Sequence, residues 1–304
     1  MNETRHNKIG IIIVHYGDSR LITDLLSSIN KSFTNGCFIY VIDNSLSNDV
    51  RQIVHGSKFK RKALYIEPHG NLGWAKGANL GARIALKDNC TMLCFLTSDT
   101  VIKSKNFFLE LIKPFSSGSV GITLPIVVYY NDPSIVWMSG GRFYRLLMLA
   151  RLLNNNKHIS DSKMKLSPDF GGLCMIRADL FEKIKGWNEN YFLYYEDVDF
   201  GFKVKKFRKD IILVPKSIIA HKVSTPSFRQ KETPLNPKNS YFYSRGSLLF
   251  IKENLEGLTK YIAIFSQVFI QMPMFVLAMM RQLNFRALVS YFRGFLSGLL
   301  ILVK

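Results

Sequence analysis

The sequence predicts an α/β fold, a doubly wound parallel sheet flanked by helices, followed by an apolar and basic helical extension. Over the first hundred residues, aliphatic runs alternate with segments whose apolar positions recur at helical spacing, as in β–α–β units. Two of those runs end in an acid, Asp43 and Asp99, at the strand ends where open α/β sheets bind ligands. The extension shows as a change of composition. Residues 201–304 hold 17 Lys/Arg against 4 Asp/Glu, whereas residues 1–200 hold 24 against 18.

The elements follow in order. Lys8–Val14 is a branched-aliphatic run suited to a fully buried parallel strand. Ser19–Lys31 places Leu21, Ile22, Leu25, Leu26 and Ile29 on one helical stripe. Phe38–Ile42 is a second strand ending at Asp43-Asn44, and Ala63–Ile66 a short third. A helix over Ala75–Leu86 precedes a fourth strand, Met92–Leu96, which ends in Thr97-Ser98-Asp99. Lys105–Ile112 reads as a helix and Val120–Leu124 as a strand. Ile126–Gly141 reads as two short strands about an Asn-Asp-Pro turn. Arg145–Pro168 is polar and poor in turn signals after residue 153, so a mobile segment over the site is expected. Strands at Leu173–Ile176 and Ile211–Val214 and a helix from Ala178 complete the series.

The loop and helix from His69 to Gly81 (HGNLGWAKGANLG) fit neither GxGxxG nor GxxxxGK[ST], which argues against a dinucleotide fold and a P-loop. Gly73, Gly77 and Gly81 recur every four residues, so they line one helix face and allow close packing on the sheet. Asn71 and Asn79 are free to hold a ligand or to fix the loop around it. Four cysteines, Cys37, Cys90, Cys94 and Cys174, lie in apolar runs without CxxC spacing and read as buried, reduced thiols.

The stretch from Gly186 to Val204 stands apart. Glu189, Glu196, Asp197 and Asp199 fall within eleven positions, among Trp187, Tyr191, Phe192, Tyr194 and Tyr195, in a chain of net charge +19. Apolar walls raise the pKa of a carboxyl group and bring it towards the basicity that proton abstraction needs. Val198 and Phe202 share a stripe, so a helix opens near Tyr195 or Glu196, whose N-terminus favours the carboxylates.

No secretory signal is read at the N-terminus, so the main domain is expected in the cytoplasm. Tyr261–Met280 has no charged residue over twenty positions, long enough to cross a bilayer. Gln267 and Gln271 share a face, Pro273 interrupts the run, and Lys252, Lys260, Arg281, Arg286 and Arg293 flank both ends. Interfacial helices with snorkelling cations fit this pattern better than a span. The basic excess suits an anionic membrane surface or lipid diphosphate. Nucleic acid is not expected as a partner, since no helix-turn-helix, zinc-finger or RNP pattern accompanies the charge.

Taken together, IIIVHYGDSRLITDLLSSI, VIDNS, NLGWAKGANLG, LTSDT, IVWMSGG, FGGLCMIRADLFEKIKGWNENYFLYYEDVDFGFKV, AHKVSTPS and YFYSRGSLLF resemble the family 2 glycosyltransferases. The likeness spans roughly residues 8–255 and is greatest to the bacterial rhamnosyltransferase-like branch. It implies a GT-A fold, a mixed and mostly parallel sheet, as a catalytic domain over residues 1–255. Residues 256–304 would be a membrane-associating helical extension.

The resemblance also implies roles. Val14 to Tyr16 and Asp43, with Asn44, would hold the nucleotide's base and ribose, and Asn71, Gly73 and Asn79 would lie against it. Asp99 belongs to a DxD-like motif for a divalent metal, Mg²⁺ or Mn²⁺, on the sugar-nucleotide diphosphate. Thr97 stands where a first acid or Asn is usual, leaving one carboxylate, and His221 matches a position that completes the metal shell. Glu196-Asp197 matches the ED motif, with Asp197 as general base and Glu196 orienting it or holding the acceptor, while Asp199 is structural. Asn188 replaces the usual Asp in GWNE. The implied reaction is an inverting transfer from dTDP-rhamnose or a UDP-sugar to a lipid-linked glycan, on the cytoplasmic face of a bacterial inner membrane. The alternative is a catalytically degenerate membrane scaffold in a polysaccharide assembly complex, motivated by Thr97 and Asn188.

Overall fold

The computed structural model describes residues 8–30, 32, 36–57, 62–161, 167–222 and 236–303. Met1–Asn7, Lys31 and the Val223–Ser227 part of AHKVSTPS lie outside the described residues.

β1 (Ile9–His15) is buried at every position, as its aliphatic run requires. It pairs in parallel with β2 (Cys37–Asp43) on one side and β4 (Met92–Thr97) on the other. β3 (Ala63–Ile66) extends the sheet beyond β2. Alternate residues of β1 face opposite layers. Ile9, Ile11 and Ile13 pack with α1 (Arg20–Ile29) and α2 (Asn48–Gly56), while Ile12 and Val14 pack with α3 (Gly73–Lys87). Gly77 and Gly81 of α3 lie on the sheet as expected, against Val14, Ile42 and Ile12, whereas Gly73 meets Phe192 instead. A Cβ on Gly81 would come within 2.5 Å of the Ile42 side chain.

The other half of the sheet is mixed, where strand–helix alternation alone predicts parallel strands. The order of the whole sheet is β3–β2–β1–β4–β10–β6–β11–β5, with β7 also on β6. β6 (Val120–Tyr129) and β11 (Asp210–His221) run parallel, while β5 (Thr100–Ile102), β7 (Val136–Met138) and β10 (Cys174–Arg177) are antiparallel to their neighbours. The sequence reading splits β6 after Leu124. Pro125 does not break it, because its ladder with β11 continues through Tyr129. β11 likewise runs past Val214, which puts His221 inside a strand. α4 (Phe107–Ile112) and α5 (Ala178–Lys183) cover the sheet.

Part of Arg145–Pro168, expected to be mobile, is a paired strand. Leu149–Leu152 is a strand, β9, that forms a hairpin with β8 (Gly141–Tyr144), and residues 162–166 lie outside the described residues. The hairpin packs with α6 (Glu196–Lys206) and α7 (Pro237–Asn254) in a cluster holding Met148, Phe170, Tyr195, Leu248 and Phe250.

α8 (Gly257–Ser266), a wide π turn (Gln267–Gln271) and α9 (Met272–Arg281) form one continuous helix of 25 residues. Pro273 therefore does not interrupt it. A proline lacks the N–H and crowds the carbonyl four residues back, and here that carbonyl, on Phe269, lies inside the wide turn. α10 (Phe285–Val303) returns along α7. The approach is close enough that a Cβ on Gly294 would lie 2.1 Å from the Tyr241 carbonyl oxygen. Ser244 Oγ donates to the Tyr291 carbonyl at 2.7 Å, and Lys252 Nζ to that of Ile301 at 2.7 Å.

Candidate active site

Strand register brings the first group together. His15 is level with Asp43 on β2, and Val14 with Thr97 on β4. Past the end of β4, Ser98 Oγ bonds His15 Nδ1 at 2.8 Å. His15 is fully buried. Burial holds its imidazole below the usual pKa against the upward pull of Asp43 and Asp99. Among the described residues, His15 Nε2, Thr97 Oγ1 and Asp99 Oδ1 are buried without a hydrogen-bond partner. Buried polar atoms are nearly always paired, and three at neighbouring strand ends are suited to a polar ligand. Asp43 is itself engaged. Its carboxylate accepts from the Ser45 and Ser47 N–H groups at 2.9 and 2.7 Å and from Tyr65 Oη at 3.1 Å, which fixes the turn after β2. Tyr16 lies exposed beside this turn, with Lys238 Nζ 5.0 Å from its ring centroid.

The β5–β11 ladder adds His221. It pairs with Thr100, the Lys222 N–H donates to the Asp99 carbonyl at 2.8 Å, and His221 Nε2 stands 3.4 Å from Asp99 Oδ2. Trp137 stacks on the imidazole, centroids 4.6 Å apart and planes 4° from parallel. One carboxylate and one imidazole, with Asp99 Oδ1 unbonded, suit a divalent ion that takes its other ligands from phosphate and water. Among the described residues no three His, Cys, Asp or Glu side chains converge into a fuller cage.

The acidic pair opens α6 as its sequence requires. Tyr194 and Tyr195 both adopt left-handed backbone, φ +66° and +71°, a conformation bulky side chains rarely hold. This turn presents Glu196 and Asp197 in the first turn of α6, with Asp197 Oδ1 accepting the Val198 N–H at 2.8 Å. Burial pushes both carboxyl groups above the usual range, and for Glu196 the charges of Asp197 and Asp199 add to it. Asp199 is an anchor. Asn254 Nδ2 donates to it at 2.7 Å, and Lys203 Nζ lies 3.3 Å away. The charge of Asp197 adds to burial in raising the thiol of Cys174, at the start of β10.

The entrance to α3 links the two groups. Asn44 Nδ2 donates to the Gly73 carbonyl at 3.1 Å, and Asn71 Oδ1 accepts the Gly73 N–H at 2.9 Å. Gly73 has φ +74°, and a Cβ there would sit 2.5 Å from the Phe192 carbonyl oxygen, which accepts the Trp74 N–H at 3.1 Å. Val14, Tyr16, Asp43, Asn44, Asn71, Gly73, Asp99 and His221 thus gather around one end of the sheet, joined through Phe192 to the loop carrying Glu196 and Asp197. Asn79 does not join them. Its amide bonds the Trp187 backbone at 2.9 and 3.0 Å and Glu189 Oε1 at 2.9 Å, so it ties α3 to the acidic loop. It lines a separate cleft of about 770 Å³ with Arg83, Trp187, Asn188 and Glu189, which includes none of Asp43, Asp99 or Asp197.

A mixed, mostly parallel sheet with acids at the ends of β2 and β4 and a half-buried acid pair opening α6 fits a GT-A-type protein, and the chain belongs to glycosyl transferase family 2, whose description matches residues 10–185. That match ends before Glu196. The low-salt glycan biosynthesis hexosyltransferase Agl10 of Haloferax volcanii is 27% identical over 211 residues, covering 68% of this chain. This chain spans 64% of that relative's length. Among solved structures, the mannosyltransferase PcManGT from Pyrobaculum calidifontis with GDP-Man and Mn²⁺ has a TM-score of 0.61 at 14% identity, covering 94% of this chain and 74% of that one. GalNAc-T7 with UDP, GalNAc and Mn²⁺ has a TM-score of 0.58 at 16% identity, covering 87% and 55% respectively. These structures share the fold.

Sequence reasoning passes over three contributors. His15 lies within the Val14–Tyr16 span but has a polar role its neighbours lack, and its signal is a histidine closing an aliphatic strand. Trp137 sits in the IVWMSGG run with nothing to mark its stack on a residue so distant in sequence. The paired left-handed tyrosines carry no local signal, since neither is a Gly, Asn or Asp.

Proposed function

We propose that this protein is an inverting glycosyltransferase that moves a sugar from a nucleotide diphosphate donor to a hydroxyl of a lipid-linked glycan. The observation that carries this reading is the half-buried Glu196-Asp197 pair, its basicity raised, at the opening of α6, on a loop that meets the entrance to α3 through Phe192. An acceptor hydroxyl is a poor nucleophile until it loses a proton. Asp197 takes that proton as the hydroxyl oxygen bonds to the anomeric carbon. The bond from that carbon to the diphosphate oxygen breaks, its electron pair leaves with the nucleotide, and the anomeric centre inverts. Glu196 holds the acceptor or orients Asp197. His15, Asp43, Asn44, Asn71 and Gly73 shape the donor end, with Val14 and Tyr16 beside them. Asp99 and His221 would hold Mg²⁺ or Mn²⁺, which when bound neutralises charge on the departing diphosphate. The GDP-Man and Mn²⁺ in one structural relative, and the UDP, GalNAc and Mn²⁺ in the other, support a donor and ion of this kind.

The donors we favour are dTDP-rhamnose and UDP-sugars, UDP-galactofuranose among them. The acceptor assignment and a position on the cytoplasmic face of a membrane rest on the apolar faces of α8–α9 and α10, each long enough to reach across a bilayer, and on their basic flanks. We read these helices as lying in the membrane interface. The test is Asp197→Asn. It should retain fold and donor binding while turnover falls at least about a hundredfold. Undiminished turnover would overturn the base assignment. Donors are screened by thermal stabilisation with and without Mn²⁺. No donor binding under any condition would favour the scaffold alternative.

A further inference from the structure

The turn of the β8–β9 hairpin reads Arg145-Leu146-Leu147-Met148. Turns ordinarily use Gly, Asn, Asp, Ser or Pro. Here Leu146 is 40% and Leu147 44% exposed, with Tyr144 exposed beside them, while Met148 is fully buried. Met148 also takes a left-handed backbone, φ +51°, which keeps it inward and the two leucines out.

This turn is held from two sides. Gln271 Nε2, in the wide turn of the C-terminal helix, donates to the Leu147 carbonyl at 3.0 Å. Tyr195 Oη, from the residue just before the acid pair, reaches the Met148 carbonyl at 3.5 Å. At the base of the hairpin, Phe143 packs edge-on against Tyr195 and Phe250. The neighbouring helices carry their own exposed apolar side chains, with Phe265, Phe269, Ile270, Met274 and Leu277 near the Gln271 contact. Exposed Arg145 and Arg281 supply the cations that favour an anionic lipid surface.

We propose that the Leu146-Leu147 tip enters the same lipid leaflet as the α8–α9 face, forming a membrane-dipping finger. This rests on the interfacial reading of the C-terminal helices and adds an element from the middle of the chain. The finger's inner end touches the residue that presents Glu196 and Asp197. It therefore places the lipid end of an acceptor beside the turn that carries Glu196 and Asp197. The occupant is lipid, not a partner protein, because the face is apolar at the tip and basic around it.

The test uses the full chain and vesicles of phosphatidylethanolamine with phosphatidylglycerol. Leu147→Trp reports depth through quenching by bromine-labelled lipid acyl chains, against the parent protein as background. Leu146→Asn/Leu147→Asn installs residues the turn favours, so the hairpin should fold at least as well. The expected results are acyl-chain quenching at position 147 and a drop in vesicle partitioning of about tenfold or more for the double variant. Turnover with a soluble acceptor should stay unchanged and turnover with a vesicle-borne acceptor should fall. Vesicle binding by the parent protein without quenching at 147 overturns the finger alone. Absence of any vesicle binding overturns the interfacial reading and the finger with it.

Discussion

The indole of Trp137 lies flat on the imidazole of His221, 4.6 Å between centroids, and orients Nε2 towards Asp99 at 3.4 Å. Groups that orient a metal-binding histidine typically change affinity by about 10- to 100-fold when removed. Trp137→Ala should therefore weaken Mn²⁺ binding about tenfold, measured by electron paramagnetic resonance with UDP present. Trp137→Phe, which keeps a flat partner, should restore most of it. Equal affinities in all three proteins would show the stack to be packing alone.

The acid pair makes a pH prediction. Both carboxyls titrate higher in the folded protein than in the unfolded chain, so the folded state holds their protons more tightly. Their ionisation therefore lowers stability as pH rises through the folded values, and this difference vanishes below about pH 4. Glu196→Gln should raise the melting temperature at pH 8 and leave it unchanged near pH 4. The same shift puts the acid limb of kcat/KM above the ordinary carboxylate range of about 4. A melting difference that is independent of pH would contradict the burial argument.

His15 should act through its bond to Ser98. His15→Asn keeps a polar atom near the position of Nδ1, whereas His15→Leu keeps none. A hydrogen bond contributes about 0.5–1.5 kcal/mol, so the leucine variant should raise donor KM by roughly three- to tenfold with a smaller change in kcat. The asparagine variant should lie close to the parent. A loss confined to kcat would point instead to direct contact with the reacting atoms.

At Gly294 the space is already taken by the Tyr241 carbonyl and Ser244 Oγ, the latter 2.3 Å from an added Cβ. Gly294→Ala should cost about 1–3 kcal/mol. Gly56→Ala, at the end of α2 where nothing lies within 4 Å, should be neutral or stabilise by a few tenths of a kcal/mol. Denaturant melts of the two variants side by side decide it.

Much of the parallel half was legible because it is locally encoded. Aliphatic runs, helical stripes and acids at strand ends are all readable within a few residues, and β1, β2, β3 and β4 lie where those signals put them. The mixed half was less so. β5 is three residues long, and β10 takes its direction from neighbours distant in sequence. The hairpin escaped notice because its turn is made of leucines, whose reason lies outside the chain's own core. The site followed the same division. Asp43 and Asp99 stand at strand ends and the acid pair opens α6 where local signals put them, whereas Asn79 bonds the acidic loop, and an asparagine on a helix gives no hint of which flank it serves.

Finally, α7 is held at several points: Asn254 donates to Asp199, Arg245 to the Asn190 carbonyl, and Ser244 to the Tyr291 carbonyl of α10. Trimming the oily tail to obtain a handier soluble fragment would therefore strip support from the helix that holds Asp199, two residues from Asp197. The better route to a tractable protein is to keep the whole tail and lend it a detergent or a lipid disc.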